Sequence, residues 1–290
     1  MFFKNILRAM RVHHWLKNLL IFIPMATGHL FLIENFKNLF LFFVCLSLVA
    51  SGIYLLNDLL DLENDKKHRT KKFRPLAAGS ITEKQVKLTS SFLLMVGLIG
   101  SLMISLNSFL VIISYLSLAL LYNFIFRKIP FIDTLSLASL YTLRVFSGVI
   151  VISVDTSEWL FMFSFFFFLF LALIKRQTEL TIYIEDGHKQ KTVRGYKIKD
   201  ISLIRSTMVS SGFLSVLIFG LYISSSKVGT LYEYPLFLWI VTLLLFIWIM
   251  RIIVVTERGK MDDDPVMFAI KDLFSLILLF IACLVFLLSA

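Results

Sequence analysis

The apolar residues of this chain fall into blocks about 16–24 residues long, close to the roughly 20 that a helix needs to cross a bilayer. Nine spans are expected, at 16–33, 38–57, 86–105, 107–126, 131–152, 158–175, 202–224, 234–253 and 267–289. A chain of 290 residues that is 58% hydrophobic, with a mean hydropathy of +0.86, is far more apolar than a soluble domain of its length. Period-2 alternation is absent, which disfavours a transmembrane barrel. The fold class is therefore all-α: a polytopic membrane protein of about nine transmembrane helices, expected as a single integral domain over residues 1–290.

Charge then orients the spans. With the N-terminus inside, all but Lys37, Lys227 and Arg144 of the 29 Lys and Arg fall on the cytoplasmic side, an asymmetry that agrees with an odd number of spans. An inner-membrane protein with a cytoplasmic N-terminus and an external C-terminus is expected. Residues 1–15 mix Lys4, Arg8 and Arg11 with Phe2, Phe3, Ile6, Leu7 and Trp15, the pattern of an interfacial helix. No small-x-small site follows the apolar run, so a cleaved leader is not expected. The net charge of +10 first means topology and contact with anionic lipid. Nucleic acid is excluded as a partner because no soluble domain is there to grip it. Cys45 and Cys283 sit in spans without metal-ligand spacing and read as packing residues.

Outer connections are short, whereas two inner ones, 58–85 and 176–201, are long and charged. They follow spans two and six, which hints at a repeated four-helix unit. Chemistry is expected at this cytoplasmic mouth. If the second helix continues through NDLLDLEND, then Asp58, Asp61 and Asp65 are spaced i, i+3, i+7, with Asn57 one turn before Asp61. Those spacings share one side of a helix. Carboxylates so arranged repel, and a divalent cation removes the repulsion; hard oxygen ligands favour Mg²⁺, with Mn²⁺ as the other candidate. The bland alternative is a solvated helix end whose acids pair with neighbouring lysines.

The second long loop is different. Lys175, Arg176 and Glu179 lie within one helical turn, so all three can face one pocket, and the cations suit a phosphate. Positive-inside flanking of span six explains Lys175 and Arg176 equally well. Arg144, about halfway along span five, is too costly to leave in lipid and needs a cavity or an acid. Asp133 on the same helix is roughly 16 Å away, so an acid on another helix or an anionic ligand is expected. Gly148 one turn later permits close helix approach. Lys17 and Asn18 open span one and can reach the mouth, although Lys17 can also snorkel to headgroups. Tyr54 and Tyr122 serve either a ligand or an interfacial belt. The phenylalanine-rich run 161–170 is lipid-facing bulk or the wall of a prenyl groove.

NDLLDLEND resembles the N-D-x-x-D-x-x-x-D pattern of the UbiA-type superfamily of intramembrane prenyltransferases. The resemblance is greatest to the polyprenyl-phosphate phosphoribosyltransferase branch and runs over nearly the whole chain. It is carried by RVHHWLKNLLIFIP, SGIYLLND, HRTKKFRPLAAG, FIDTLSLASLYTLRVFSG, KRQTEL, RGYKIKDISLIR and the DPV near residue 265. Departures are Val12 and His13 in the opening stretch and Gln177 after Lys-Arg, which bear on substrate detail. A diphosphate-dependent prenyltransferase normally has a second D-x-x-x-D pair, and KRQTEL stands here instead.

The resemblance implies a UbiA-like bundle with a cytoplasmic-facing mouth. It implies a Mg²⁺-dependent transfer of 5-phosphoribosyl from phosphoribosyl pyrophosphate to a polyprenyl phosphate in the bilayer. Asn57, Asp58, Asp61 and Asp65 would hold the metal, with Asp58, Asp61 and Asp65 catalytic. Lys17, Asn18, Tyr54, Lys66, Arg69, Arg74, Tyr122, Arg144, Lys175, Arg176, Glu179, Arg194 and Tyr196 would line the substrates. Two other readings stay open. One is prenyl transfer from a polyprenyl diphosphate to an aromatic or other acceptor; the other is a transporter or lipid-binding scaffold, which most spans, being unbroken hydrocarbon, do not favour.

Overall fold

A computed structural model of the protein describes residues 2–67, 70–155, 157–185, 194–226, 228–262 and 264–289. Every element among them is helical. In hydrocarbon a chain must satisfy its backbone groups within itself, and a helix does so one segment at a time. The helices are α1 (Phe2–Ala9), α2 (Ile23–Thr27), α3 (Ile33–Leu60), α4 (Leu62–Lys67), α5 (Glu83–Ile104), α6 (Leu106–Phe124) and α7 (Ile132–Val151). They continue with α8 (Glu158–Glu185), α9 (Ile201–Ile223), α10 (Val228–Leu231), α11 (Leu238–Glu257), α12 (Pro265–Lys271) and α13 (Leu273–Ser289). Seven helices among the described residues are long and apolar enough to cross a membrane, and the bent pair α12–α13 makes an eighth candidate.

The first and last expected spans differ from simple helices. Residues Val12–Phe22 form a 3₁₀ helix followed by the short α2, in place of one α-helix over 16–33. A 3₁₀ helix has three residues per turn, so Trp15, Asn18 and Ile21 fall on one face. That face is stitched to α3: Trp15 Nε1 donates to Ser51 Oγ at 3.0 Å and Asn18 Nδ2 to Ser47 Oγ at 2.9 Å. The last expected span, 267–289, is broken at Asp272, where α12 and α13 meet at 81°. There the Asp272 carboxylate accepts from the Ser275 N–H at 2.8 Å and pairs with Arg251 at 2.6 Å, so an N-cap restarts the helix. α8 also runs on to Glu185, beyond the expected end of the sixth span at residue 175.

Two compact units are present. Residues 1–124 and 143–155 form the first, and residues 125–142 and 156–290 the second, so α7 is divided between them. In the first unit α3 packs along α5 and α6, with Ser90 Oγ donating to the Gly52 carbonyl at 2.9 Å. The 3₁₀ helix lies so close to α7 that a Cβ at Gly148 would collide with the Ile21 carbonyl. In the second unit α8 packs along α9, and α11 joins α9 and α13.

Candidate active site

The first unit gathers charge at the end of α3. The helix stops at Leu60, Asp61 sits at the break, and α4 carries Asp65. The 61–65 step keeps a helical bond, Asp65 N–H to the Asp61 carbonyl at 2.8 Å. Asp58 and Asp65 are therefore two turns apart on one side, and both are buried. They converge on one guanidinium: Arg74 Nη1 lies 2.5 Å from Asp65 Oδ2 and 3.2 Å from Asp58 Oδ1. A second guanidinium, Arg11, donates to the same Asp58 oxygen at 2.5 Å. Arg11 also rests on the Tyr54 ring, 5.0 Å from its centroid. Arg11 lies in the left-handed region at the junction between α1 and the 3₁₀ helix. No helical periodicity marks such a position, so only its place in the opening motif could have pointed to it.

The other expected residues of this unit occupy two settings. Asn57 and Asp61 are half-buried beside Asp58, Lys66 is exposed and pairs with Glu63 at 2.6 Å, and Tyr122 is half-buried near the end of α6. Lys66 lowers the pKa of the fully exposed Glu63 by hydrogen bonding and by its charge. Lys17 and Asn18 are buried in the 3₁₀ helix. Arg144 meets two neutral partners, donating from Nε to Asn18 Oδ1 at 2.9 Å and from Nη2 to the Tyr115 hydroxyl at 2.7 Å. Its guanidinium also lies 5.0 Å from the Tyr115 ring centroid. A polar chain thus runs from Ser47 through Asn18 to Arg144 inside the first unit. Arg69 lies outside the described residues.

The second unit holds the other group. Arg176 is fully buried and pairs with Asp133 and with Glu179. The Tyr196 hydroxyl donates to Asp133 Oδ1 at 2.5 Å and accepts from the Phe131 N–H at 2.7 Å. Burial and the adjacent Asp133 carboxylate push the Tyr196 pKa far up, so its proton stays in place. Arg194 approaches Glu179 at 3.6 Å. Gly195 has φ +85° and lies where a Cβ would strike the Lys128 carbonyl, so this turn needs glycine. Gln177 is buried and donates to Glu257 Oε1 at 2.7 Å, and Glu257 also pairs with Arg205 at 2.6 Å. Lys175 is half-buried.

Among the described residues no three His, Cys, Asp or Glu side chains form a metal-binding group. Asp58 and Asp65 nonetheless fit a divalent cation, since two buried carboxylates already converge on a positive group. A cation there would take one oxygen or two from each acid and complete its shell with water and ligand oxygens, as Mg²⁺ does.

Comparisons with known proteins identify the family and the fold. The UbiA prenyltransferase family model matches residues 19–191. Nodulation protein NoeC of Azorhizobium caulinodans is 32% identical over 95% of this chain and 90% of its own length. An uncharacterized protein, y4nM of Sinorhizobium fredii, is 32% identical over 93% of this chain, which spans only 52% of that relative. Decaprenyl-phosphate phosphoribosyltransferase of Mycobacterium tuberculosis is 30% identical over 75% of this chain and 73% of its own. Among solved structures, a UbiA homolog from Archaeoglobus fulgidus bound to GPP and Mg²⁺ superposes with a TM-score of 0.71 at 14% identity. The match covers 97% of this chain and 96% of that one. This chain is an integral membrane protein that belongs to the UbiA prenyltransferase family.

Proposed function

We propose that this protein transfers 5-phosphoribosyl from phosphoribosyl pyrophosphate to a polyprenyl phosphate and releases pyrophosphate. The observation that carries the reading is the convergence of Asp58 and Asp65 beside Arg11 and Arg74. This supplies hard oxygens for a cation and two guanidinium forks for phosphate at one helix end. The α8 segment KRQTEL supports a phosphoribosyl donor, since it stands in place of a second aspartate pair. The name of the Mycobacterium tuberculosis relative points the same way. The Lys and Arg asymmetry supports a cytoplasmic mouth, where a soluble donor arrives.

In this reading Asp58 and Asp65, with Asn57 and Asp61 beside them, hold Mg²⁺, which when bound stabilises the charge growing on the departing pyrophosphate. Arg11 and Arg74 grip its outer oxygens, and Lys66 and Arg69 add positive charge. An oxygen of the ionised acceptor phosphate forms a bond to the anomeric carbon as the bond to pyrophosphate breaks. The acceptor needs no general base, because it is already ionised near neutrality. Lys175 is assigned to a substrate phosphate. Arg176 is assigned to holding Asp133 and Glu179, because both acids engage its guanidinium. Asn18, Arg144, Tyr54 and Tyr122 shape the site, and in the second unit Arg194 and Tyr196 hold Glu179 and Asp133.

Prenyl transfer from a diphosphate is the second reading, favoured by the Archaeoglobus homolog bound to GPP and Mg²⁺. Purified protein with Mg²⁺ is given ribose-labelled phosphoribosyl pyrophosphate and a polyprenyl phosphate, or a prenyl diphosphate and an aromatic acid. Label in the lipid product of the first mixture is expected. Product from the second mixture alone would replace this reading with prenyl transfer.

A further inference from the structure

We infer that Arg74 and Arg11 keep the acidic cluster closed until a divalent cation and a diphosphate group arrive together, so that the two bind with strong positive coupling. The inference rests on the proposed metal role of Asp58 and Asp65.

The two buried carboxylates, Asp58 and Asp65, already face two guanidiniums. The acids are nearly dry, and Asp58 accepts from both arginines through one oxygen. A cation arriving alone must displace Arg74 from between the acids and then sit beside two positive groups, which repel it strongly in so dry a place. A diphosphate arriving alone must strip the arginines from Asp58 and Asp65 and leave both acids buried without a partner. Arriving together they exchange partners: the acids turn to the cation and the guanidiniums to phosphate oxygens. Every charge keeps an opposite charge beside it.

The two arginines are placed for that exchange. Both stand at junctions between regular elements. Arg11 takes the left-handed conformation before the 3₁₀ helix, and Arg74 is extended after the short 3₁₀ turn Lys71–Phe73. Arg11 keeps the Tyr54 ring under its guanidinium when Asp58 turns away, so it stays at the cluster. The ligand class is a diphosphate. Inorganic pyrophosphate, a sugar pyrophosphate and a lipid diphosphate share that chemistry.

Equilibrium dialysis of the full chain in nanodiscs tests the coupling. The probes are Mn²⁺ alone, radiolabelled inorganic pyrophosphate alone, and both together, for the wild type, Arg74→Gln and Arg11→Gln. The wild type should bind Mn²⁺ about tenfold or more tightly when pyrophosphate is present. Arg74→Gln should bind Mn²⁺ alone several-fold more tightly than the wild type and lose most of the coupling. Arg11→Gln, which leaves Arg74 between the acids, should lose a smaller part. Equal wild-type affinity for Mn²⁺ with and without pyrophosphate, or unchanged Mn²⁺ binding in Arg74→Gln, overturns the inference alone. If no condition retains Mn²⁺, the metal reading beneath it falls as well. Repeating the titration with phosphoribosyl pyrophosphate and with a short prenyl diphosphate shows which source couples most strongly.

Discussion

The two units carry charge clusters of opposite construction. In the first, two nearly dry acids are held by arginines whose side chains are 18% and 25% exposed. In the second, a fully buried arginine is held by Asp133, also fully buried, and by Glu179, which is 21% exposed. The groups that reach toward solvent are thus cations at the first cluster, beside acids that can trade them for a metal. At the second, Arg176 and Glu179 share one helical turn and Tyr196 bolts Asp133 to the Phe131 backbone. The first cluster is built to exchange partners and the second to stay shut. Two sets of residues that look alike in sequence, both charged helix ends before long loops, therefore have different work.

Substitutions that remove one partner should separate them, beginning with the largest effect on stability. Asp133→Ala removes the fully buried partner of the Arg176 guanidinium, leaving it Glu179, and should cost about 3–5 kcal/mol, read as a steep fall in thermal midpoint or in folded yield. A small change there would dissolve the contrast. Asp65→Asn should cost less, because its partner Arg74 can turn to water. Gly148→Ala drives a methyl into the Ile21 carbonyl and should cost about 1–3 kcal/mol, seen in the same melt. Tyr196→Phe leaves buried Asp133 and the Phe131 N–H short of a partner and should cost about 1–3 kcal/mol. A hydroxyl whose pKa is raised by folding contributes fully below its unfolded value and loses that contribution as pH rises through the folded one. The gap between wild type and Tyr196→Phe should therefore stay flat to roughly pH 9 and narrow only above ~10. Lys87→Ala, which breaks the exposed pair with Glu83, should leave the melt unchanged.

Much of this was legible in the sequence, and the exceptions have physical causes. Run length identified the long helices, because a helix satisfies its own backbone in lipid and needs about 20 apolar residues to cross it. It misjudged residues 16–33, since a hydropathy window does not distinguish a 3₁₀ helix from an α-helix. The three-residue repeat of Trp15, Asn18 and Ile21 was the available signal. The break at Asp272 also had one, an acid three residues before Ser275 at the head of an apolar run. Asp58 and Asp65 were readable as an i, i+7 pair. Their partner Arg11 was not, because the ion pair spans 47 residues. Asp133 was weighed as a partner for Arg144 and set aside on helix length; it belongs to Arg176, 43 residues on, a pairing that no local spacing announces.

One assay tests most directly whether the acids of the first unit carry the chemistry. Release of pyrophosphate from phosphoribosyl pyrophosphate, with a polyprenyl phosphate as acceptor, is compared between wild type and the Asp58→Asn, Asp65→Asn double variant in the same membranes. Loss of metal-assisted stabilisation worth several kcal/mol predicts a fall of about 10³-fold at unchanged membrane insertion. A double variant that inserts normally and turns over within about tenfold of wild type would contradict it.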